Sequence, residues 1–251
     1  MVRPLEWQQV LVDGYEPLRL AQRVFRHLPH DPRCRMCRNP FAGAGGRICG
    51  WLGRGPSRKN PNLCSFCFDH LPDGGLELDV GILFADVRGS TGLGEHSSPT
   101  EFAERLNRFY ATATELLIDH DAIIDKLIGD EVMAIFVPGV AGPTYRRRTA
   151  LAAIDLAGAL GDLPVGVAAN AGMAFVGKVG SGTVVDVTAL GDAVNVASRL
   201  QSSAEVGQVV LAEPLYRLVQ DEHPGATRSS VEVRGRQEPI DVAVLTMRER
   251  G

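Results

Sequence analysis

The stretch Ala122–Val137, AIIDKLIGDEVMAIFV, decides the fold. Two apolar runs rich in Ile and Val flank Gly129-Asp130, a pair suited to a tight turn, so the segment reads as a β-hairpin that presents a carboxylate at the end of a buried sheet. A second carboxylate, Asp86, closes the apolar run Val80 to Ala85 and precedes the turn-prone Gly89-Ser90-Thr91. If the two strands lie side by side, Asp86 and Asp130 meet. Paired carboxylates at strand ends, beside a loop with free backbone N–H groups, suit a metal-bound polyphosphate.

The elements around the hairpin fix its neighbours. A strand from Glu77 to Ala85 precedes the Asp86 loop. Ser98-Pro99-Thr100-Glu101 then forms a capping box with Pro at the first helical position. The helix after it places Phe102, Leu106, Phe109, Ala113, Leu116 and Leu117 on one face, and so covers a sheet. After the hairpin come a helix from Tyr145 to Leu160 and a strand from Pro164 to Asn170. The order β-α-β-β-α-β predicts an α+β fold with a ferredoxin-like core, whose first and third strands are central neighbours. Beyond it we expect a long hairpin over Gly172 to Leu190 turning at Gly180-Ser181-Gly182, a helix from Asp192 to Ser203, a strand from Gln208 to Leu211, and paired strands at Val231 to Val233 and Ile240 to Thr246. In the Asp192 helix, Asn195 and Arg199 lie four apart on one face; alone, such a pair more often marks a solvated face.

Before this domain the composition changes. Residues 1–70 carry a net charge of +6 and residues 71–251 one of -10. We divide the chain into an N-terminal amphipathic helix region (1–30), a Cys-rich segment with linker (31–72) and the α+β domain (73–251). The helix, Glu16 to Leu28, puts Leu18, Ala21, Val24, Phe25 and Leu28 on one face; packing on its own domain is the simplest use, a membrane or partner helix the alternative. All five cysteines fall between Cys34 and Cys67. Cys34-x-x-Cys37 and Cys64-x-x-Cys67 could close a tetrahedral zinc site, with an iron–sulfur cluster as the alternative; Cys49 reads as a small buried residue and His70 as a surface histidine. The basic residues of this segment raise a nucleic-acid contact, against which the acidic bulk of the chain argues. Docking on the chain's own acidic domain or on a partner subunit is simpler. No apolar run approaches the ~18 residues of a membrane span and the N-terminus lacks a signal-peptide core, so the expectation is a cytoplasmic protein.

Three motifs, FADVRGST, KLIGDEVMAIF and TALGDAVNVASRL, stand in an order and spacing that resemble the class III nucleotidyl cyclases over residues 76–245. The resemblance implies that fold, with Asp86 and Asp130 as ligands of two Mg²⁺ or Mn²⁺ ions, and backbone N–H groups of Val87, Arg88, Gly89 and Ser90 cradling phosphate. It makes Asn195 the residue that orients the ribose and Arg199 the one that stabilises charge on the α-phosphate. Lys126 and Thr188 fall at the base-reading positions. A lysine is donor-only and suits adenine N1, so ATP is favoured; guanylyl cyclase activity is the alternative. Arg236 lies where some relatives place a phosphate contact. Where many relatives have Arg and His, this chain has Gly166 and Asn170. The resemblance also implies a homodimer with two shared sites and conversion of ATP to cyclic AMP and pyrophosphate in signal transduction; the basic Cys-rich module, joined by a short linker to an acidic domain, suggests a regulatory role and partner for that module. A rival reading is a cyclase-fold binding or scaffold protein whose module grips nucleic acid or a partner.

Overall fold

The computed structural model describes residues 6–28, 32–90, 98–161, 163–181, 184–233, 236 and 238–247. Their contacts divide into two compact units. One comprises the chain up to Leu78 with Val137–Pro143 and Phe175–Ala189; the other comprises Asp79–Phe136, Thr144–Ala174 and the chain from Leu190 onward. The units do not follow chain order, because the far part of the long hairpin groups with the N-terminal segment.

The second unit holds the ferredoxin-like core. Its elements are β1 (Gly75–Val87, entering from the first unit), α4 (Pro99–Asp119), β2 (Ile123–Ile128), β3 (Glu131–Phe136), α6 (Tyr145–Ala159), β4 (Val165–Ser181), α7 (Asp192–Ser203), β6 (Gln208–Ala212), α8 (Glu213–Tyr216), β7 (Thr227–Val231) and β8 (Ile240–Thr246). The sheet order is β2-β3-β1-β4-β6-β8-β7, the predicted core extended by three strands. Ser98 and Glu101 form the capping box at the start of α4. Gly129 turns the β2–β3 hairpin at φ +61°, a left-handed conformation that a Cβ would disfavour. Helices α4 and α6 pack on each other, and both pack on β3; Phe109, Ala113 and Leu117 of α4 are fully buried. A separate cluster of Ala168, Val196, Leu200, Val210 and Val242 joins α7 to β4, β6 and β8.

Strand β1 lies close under α6. A Cβ on Gly81 would fall 1.9 Å from Thr149 Oγ1, and Thr149 is fully buried, with its hydroxyl donating to Tyr145 O at 2.8 Å. Gly81→Ala must push helix and sheet apart, and is expected to destabilise the fold by about 1–3 kcal/mol. A lowered urea midpoint at unchanged slope checks this.

The first unit contains a π-helical turn (Gln9–Asp13), α1 (Glu16–Phe25), α2 (Gly43–Trp51), α3 (Ser65–His70), the short helix α5 (Pro138–Ala141) and β5 (Val184–Leu190), which pairs with β4. Several expectations are corrected. Helix α1 ends at Phe25, and its buried row is Leu18 and Gln22, because the Gln22 side chain donates to Met36 O at 2.7 Å. Val24, two residues on and so about 200° around the helix, is 54% exposed instead of joining the apolar face. The strand expected to end at Asn170 and the hairpin arm after it are one strand, β4, running through Ser181; Gly182 of the proposed turn lies outside the described residues. The penultimate strand is Thr227–Val231 rather than Val231 to Val233.

Candidate active site

Antiparallel pairing of β1 with β3 sets Asp86 opposite Glu131, and the Val87 amide donates to Asp130 O at 3.1 Å. The turn tip is thus tied to the end of β1. From the other side, the Tyr110 hydroxyl of α4 donates to Gly129 O. Asp130 lies close enough to Asp86 for its charge to oppose ionisation of Asp86. Burial is the largest influence on Asp86 and raises its pKa, the charge of Asp130 adds to this, and Gln201 and Arg88 pull it back only in part. Glu131 is raised likewise by burial and then by the charges of Asp86 and Asp130, against the pull of Lys126. Asp86 Oδ1 is buried with no hydrogen-bond partner among the described residues. An orphaned buried oxygen among mutually repelling carboxylates is the donor set a hard divalent cation takes, so the residues present fit the expected metals.

The Asp86 loop spends part of its backbone internally. The Arg88 amide donates to Pro164 O at 2.5 Å, as Val87 does to Asp130 O. Of the four residues expected to offer phosphate their N–H groups, Val87 and Arg88 therefore have theirs engaged within the protein, which narrows the cradle to Gly89 and Ser90. Thr91 lies outside the described residues.

The Arg88 side chain occupies a space that the sequence does not announce. Its guanidinium lies over Gly166, where a Cβ would fall 2.6 Å from Arg88 Nε, and it donates to Gln201 O near the C-terminus of α7. Its Nη1 stands 3.5 Å from Asp86 Oδ2. Gly166 is thus filled from across the sheet by an arginine. Asn170 is buried, and its amide donates to Ala193 O at 3.0 Å, bracing α7. Arg236 is held by Asp192 at 2.7 Å, so its charge is already answered on the first turn of α7.

Asn195 and Arg199 stand exposed on one face of α7, where the backbone N–H of Asn195 donates to Gly191 O at 3.2 Å. Lys126 is half-buried on β2, opposite Met133 just past a bulge in the ladder. Asp86, Asp130, Glu131 and Lys126 are brought together; among the described residues no hydrogen bond joins Asn195 or Arg199 to that cluster. Glu131, Tyr110 and Gln201 escaped the sequence reading. The pairing of β1 with β3 could have found Glu131, since it puts this residue opposite Asp86, whereas nothing local marks the other two.

Comparison with known proteins decides the family. The profile of the Adenylate and Guanylate cyclase catalytic domain matches residues 77–246. The chain belongs to this family. Among curated relatives, the cyclase domain is similar to an adenylate cyclase of Mycobacterium tuberculosis, 32% identical over 169 residues, covering 63% of this chain and 37% of that protein. It is also similar to an adenylate cyclase of Anabaena cylindrica, 29% identical over 195 residues, covering 68% of this chain and 39% of that protein. The chain thus spans well under half the length of these relatives. Among solved structures, the guanylyl cyclase Cya2 shares the fold at TM-score 0.64 and 23% identity, covering 70% of this chain and 96% of that one. The adenylyl cyclase CyaB from P. aeruginosa does so at 0.60 and 25% identity, covering 70% and 99%.

The first unit carries a second cluster, described by itself. The Sγ atoms of Cys34, Cys37, Cys64 and Cys67 lie within 4.8 Å of one another, all buried. Backbone amides point at the sulfurs: Cys64 N donates to Cys34 Sγ at 3.2 Å and Cys67 N to Cys64 Sγ at 3.4 Å. Burial opposes charge on Cys34, yet the neighbouring thiols of Cys37, Cys64 and Cys67 hold its pKa well below the usual thiol value. Four converging sulfurs with N–H donors behind them suit a thiophilic metal ion. Cys49 is buried and outside this group, and the His70 ring faces Phe66 O at 2.7 Å.

This cluster sits next to the β4–β5 hairpin within the same unit. Lys178 Nζ donates to Leu71 O at 2.7 Å and lies over the Phe68 ring. Asn60 donates to Asp186 at 3.0 Å, two residues before Thr188. Thr188 itself is buried on β5.

Proposed function

We propose that the chain cyclises ATP to 3′,5′-cyclic AMP and pyrophosphate. The observation that carries this reading is the orphaned oxygen of Asp86 beside Asp130, with Lys126 four residues before it on the same hairpin. In this reading Asp86 and Asp130 hold two Mg²⁺ or Mn²⁺ ions, which when bound would acidify the ribose 3′-hydroxyl and screen the triphosphate. Gly89 and Ser90 receive phosphate on their amides. Lys126 donates to adenine N1, with Thr188 as the weaker second reader of the base. Asn195 orients the ribose and Arg199 answers the charge that grows on the α-phosphate. Because Asn195 and Arg199 make no bond to the carboxylates of their own chain, we assign them to the site of a second copy in a homodimer. Arg236, tied to Asp192, contributes by bracing α7.

The test is cyclic nucleotide formation by the purified full chain, given ATP or GTP with Mn²⁺ and read by mass spectrometry. Cyclic AMP in excess of cyclic GMP is expected. Preferential cyclic GMP would overturn the base assignment, and no product from a persistent dimer would favour the binding-protein reading.

For the first unit we assign one thiophilic metal site, zinc with an iron–sulfur cluster as the alternative, to Cys34, Cys37, Cys64 and Cys67. Elemental analysis distinguishes the two. Cys64→Ser removes a ligand that also caps α3, and is expected to release the metal and lower the melting temperature by about 5–10 °C. Full metal retention with an unchanged melting temperature would remove Cys64 from the ligand set.

A further inference from the structure

Helix α2 is built inside out. Its buried positions are Gly46 and Cys49, and a Cβ on Gly46 would fall 2.4 Å from the Phe41 carbonyl carbon. Its large apolar side chains point the other way: Ile48 is 61% exposed, Trp51 87%, and Leu52, the residue after the helix, 61%. A helix stabilised by its own core buries its large residues and leaves the small ones outside. Here the apolar side chains face away from the core of their own unit.

The charge around them indicates what they meet. Between Pro32 and Phe68 the sequence carries seven basic residues and no acidic one. Arg47 on α2 and Arg58 and Lys59 on the loop that follows are exposed, and Arg54 lies 4.1 Å over the ring of the exposed Phe66. We propose that this face docks on an anionic lipid bilayer, with Ile48, Trp51 and Leu52 entering the interfacial layer and Arg47, Arg58 and Lys59 meeting lipid phosphates. Tryptophan sits well at the headgroup boundary, and aliphatic side chains gain from the acyl region beneath it. A single-stranded nucleic acid would offer Trp51 a base to stack on but nothing for Ile48 and Leu52. A second copy presenting the same face would set like charges together, and one presenting its acidic residues 71–251 instead is the outcome that a change of oligomeric state reads out. Among the described residues no helix is long and apolar enough to cross a membrane.

The experiment uses the full chain, sedimented with vesicles of phosphatidylcholine alone or mixed with phosphatidylglycerol. Binding is expected only to the charged vesicles, weakening as salt rises. Trp51→Ala with Leu52→Ala should lower the partition coefficient at least about tenfold, and Arg58→Gln with Lys59→Gln by about tenfold. The chain has two tryptophans, of which Trp7 is 6% exposed, so a blue shift of emission on the charged vesicles reports Trp51 and should vanish in Trp51→Phe. Cyclase activity in detergent-free buffer without vesicles should be the same in all these variants, which separates lost docking from lost folding. Three results would each overturn the proposal: equal behaviour with both kinds of vesicle, quenching of Trp51 by a single-stranded oligonucleotide without vesicle binding, or a change of oligomeric state in the Trp51 and Leu52 variant.

Discussion

Asp86→Asn is expected to lower cyclase activity by about 10³-fold or more while leaving the metal-free fold at least as stable as before. The two effects have one cause. Burial and the neighbouring charge of Asp130 raise the pKa of Asp86 in the folded protein. A carboxyl whose folded pKa lies above its unfolded value contributes stability that is complete below the unfolded pKa and is lost as pH rises through the folded one. Without a cation, the native Asp86 therefore works against folding at neutral pH, and stability should fall as pH rises through the carboxylate range. Asparagine removes that cost, so the metal-free variant should melt about 2–4 °C higher at neutral pH. Mn²⁺ should raise the melting temperature of the native chain and not of the variant. A variant that keeps both its activity and its Mn²⁺ response would remove Asp86 from the metal site.

The second large effect is a recovery. Asp86→Ala and Asn195→Ala proteins should each be nearly inactive, but mixed in equal amounts and allowed to reassort they should regain about a quarter of native activity. Half of the dimers are then mixed, and each mixed dimer has one site with all its residues and one lacking both. Activity that stays at the level of the separate variants, with mixed dimers demonstrated by a size tag, would mean that each chain completes its own site. Recovery close to the full native value would likewise not fit two shared sites.

The central hairpin was legible because its signals agree: two β-rich runs, a Gly-Asp turn, and a partner strand ending in another Asp. Strand β4 was harder. Glycine reads as a breaker, so Gly172 looked like the start of a new element, whereas Gly177 lies inside the strand for a different reason. A Cβ there would fall 2.3 Å from Gly75 Cα, and the glycine permits two backbones to meet. Strand β7 was misplaced because Thr227–Val231 is mostly exposed, a polar edge with no alternation to follow. In the site, the motif residues were readable from their spacing. The Arg88 side chain over Gly166 was not, since 78 positions separate the two and neither residue type signals the other. The same holds for Tyr110 at the hairpin tip. Contacts that position a motif come from surfaces brought together by the fold, and single-sequence periodicity does not report them.

The contacts of Asn60 and Lys178 give the β4–β5 hairpin an allegiance that the linear map hides. Hydrogen exchange should find residues 175–189 opening together with the cysteine-bearing segment, at one free energy, and apart from β2 and β3. Chelating the metal would then release the amides around Thr188 while the carboxylate hairpin stayed protected. On the proposed assignment, a cell short of that metal would lose the weaker base contact, Thr188, while Lys126 and the carboxylates on the other hairpin stayed in place, so trace-metal supply would tune selectivity for the base rather than switch off catalysis.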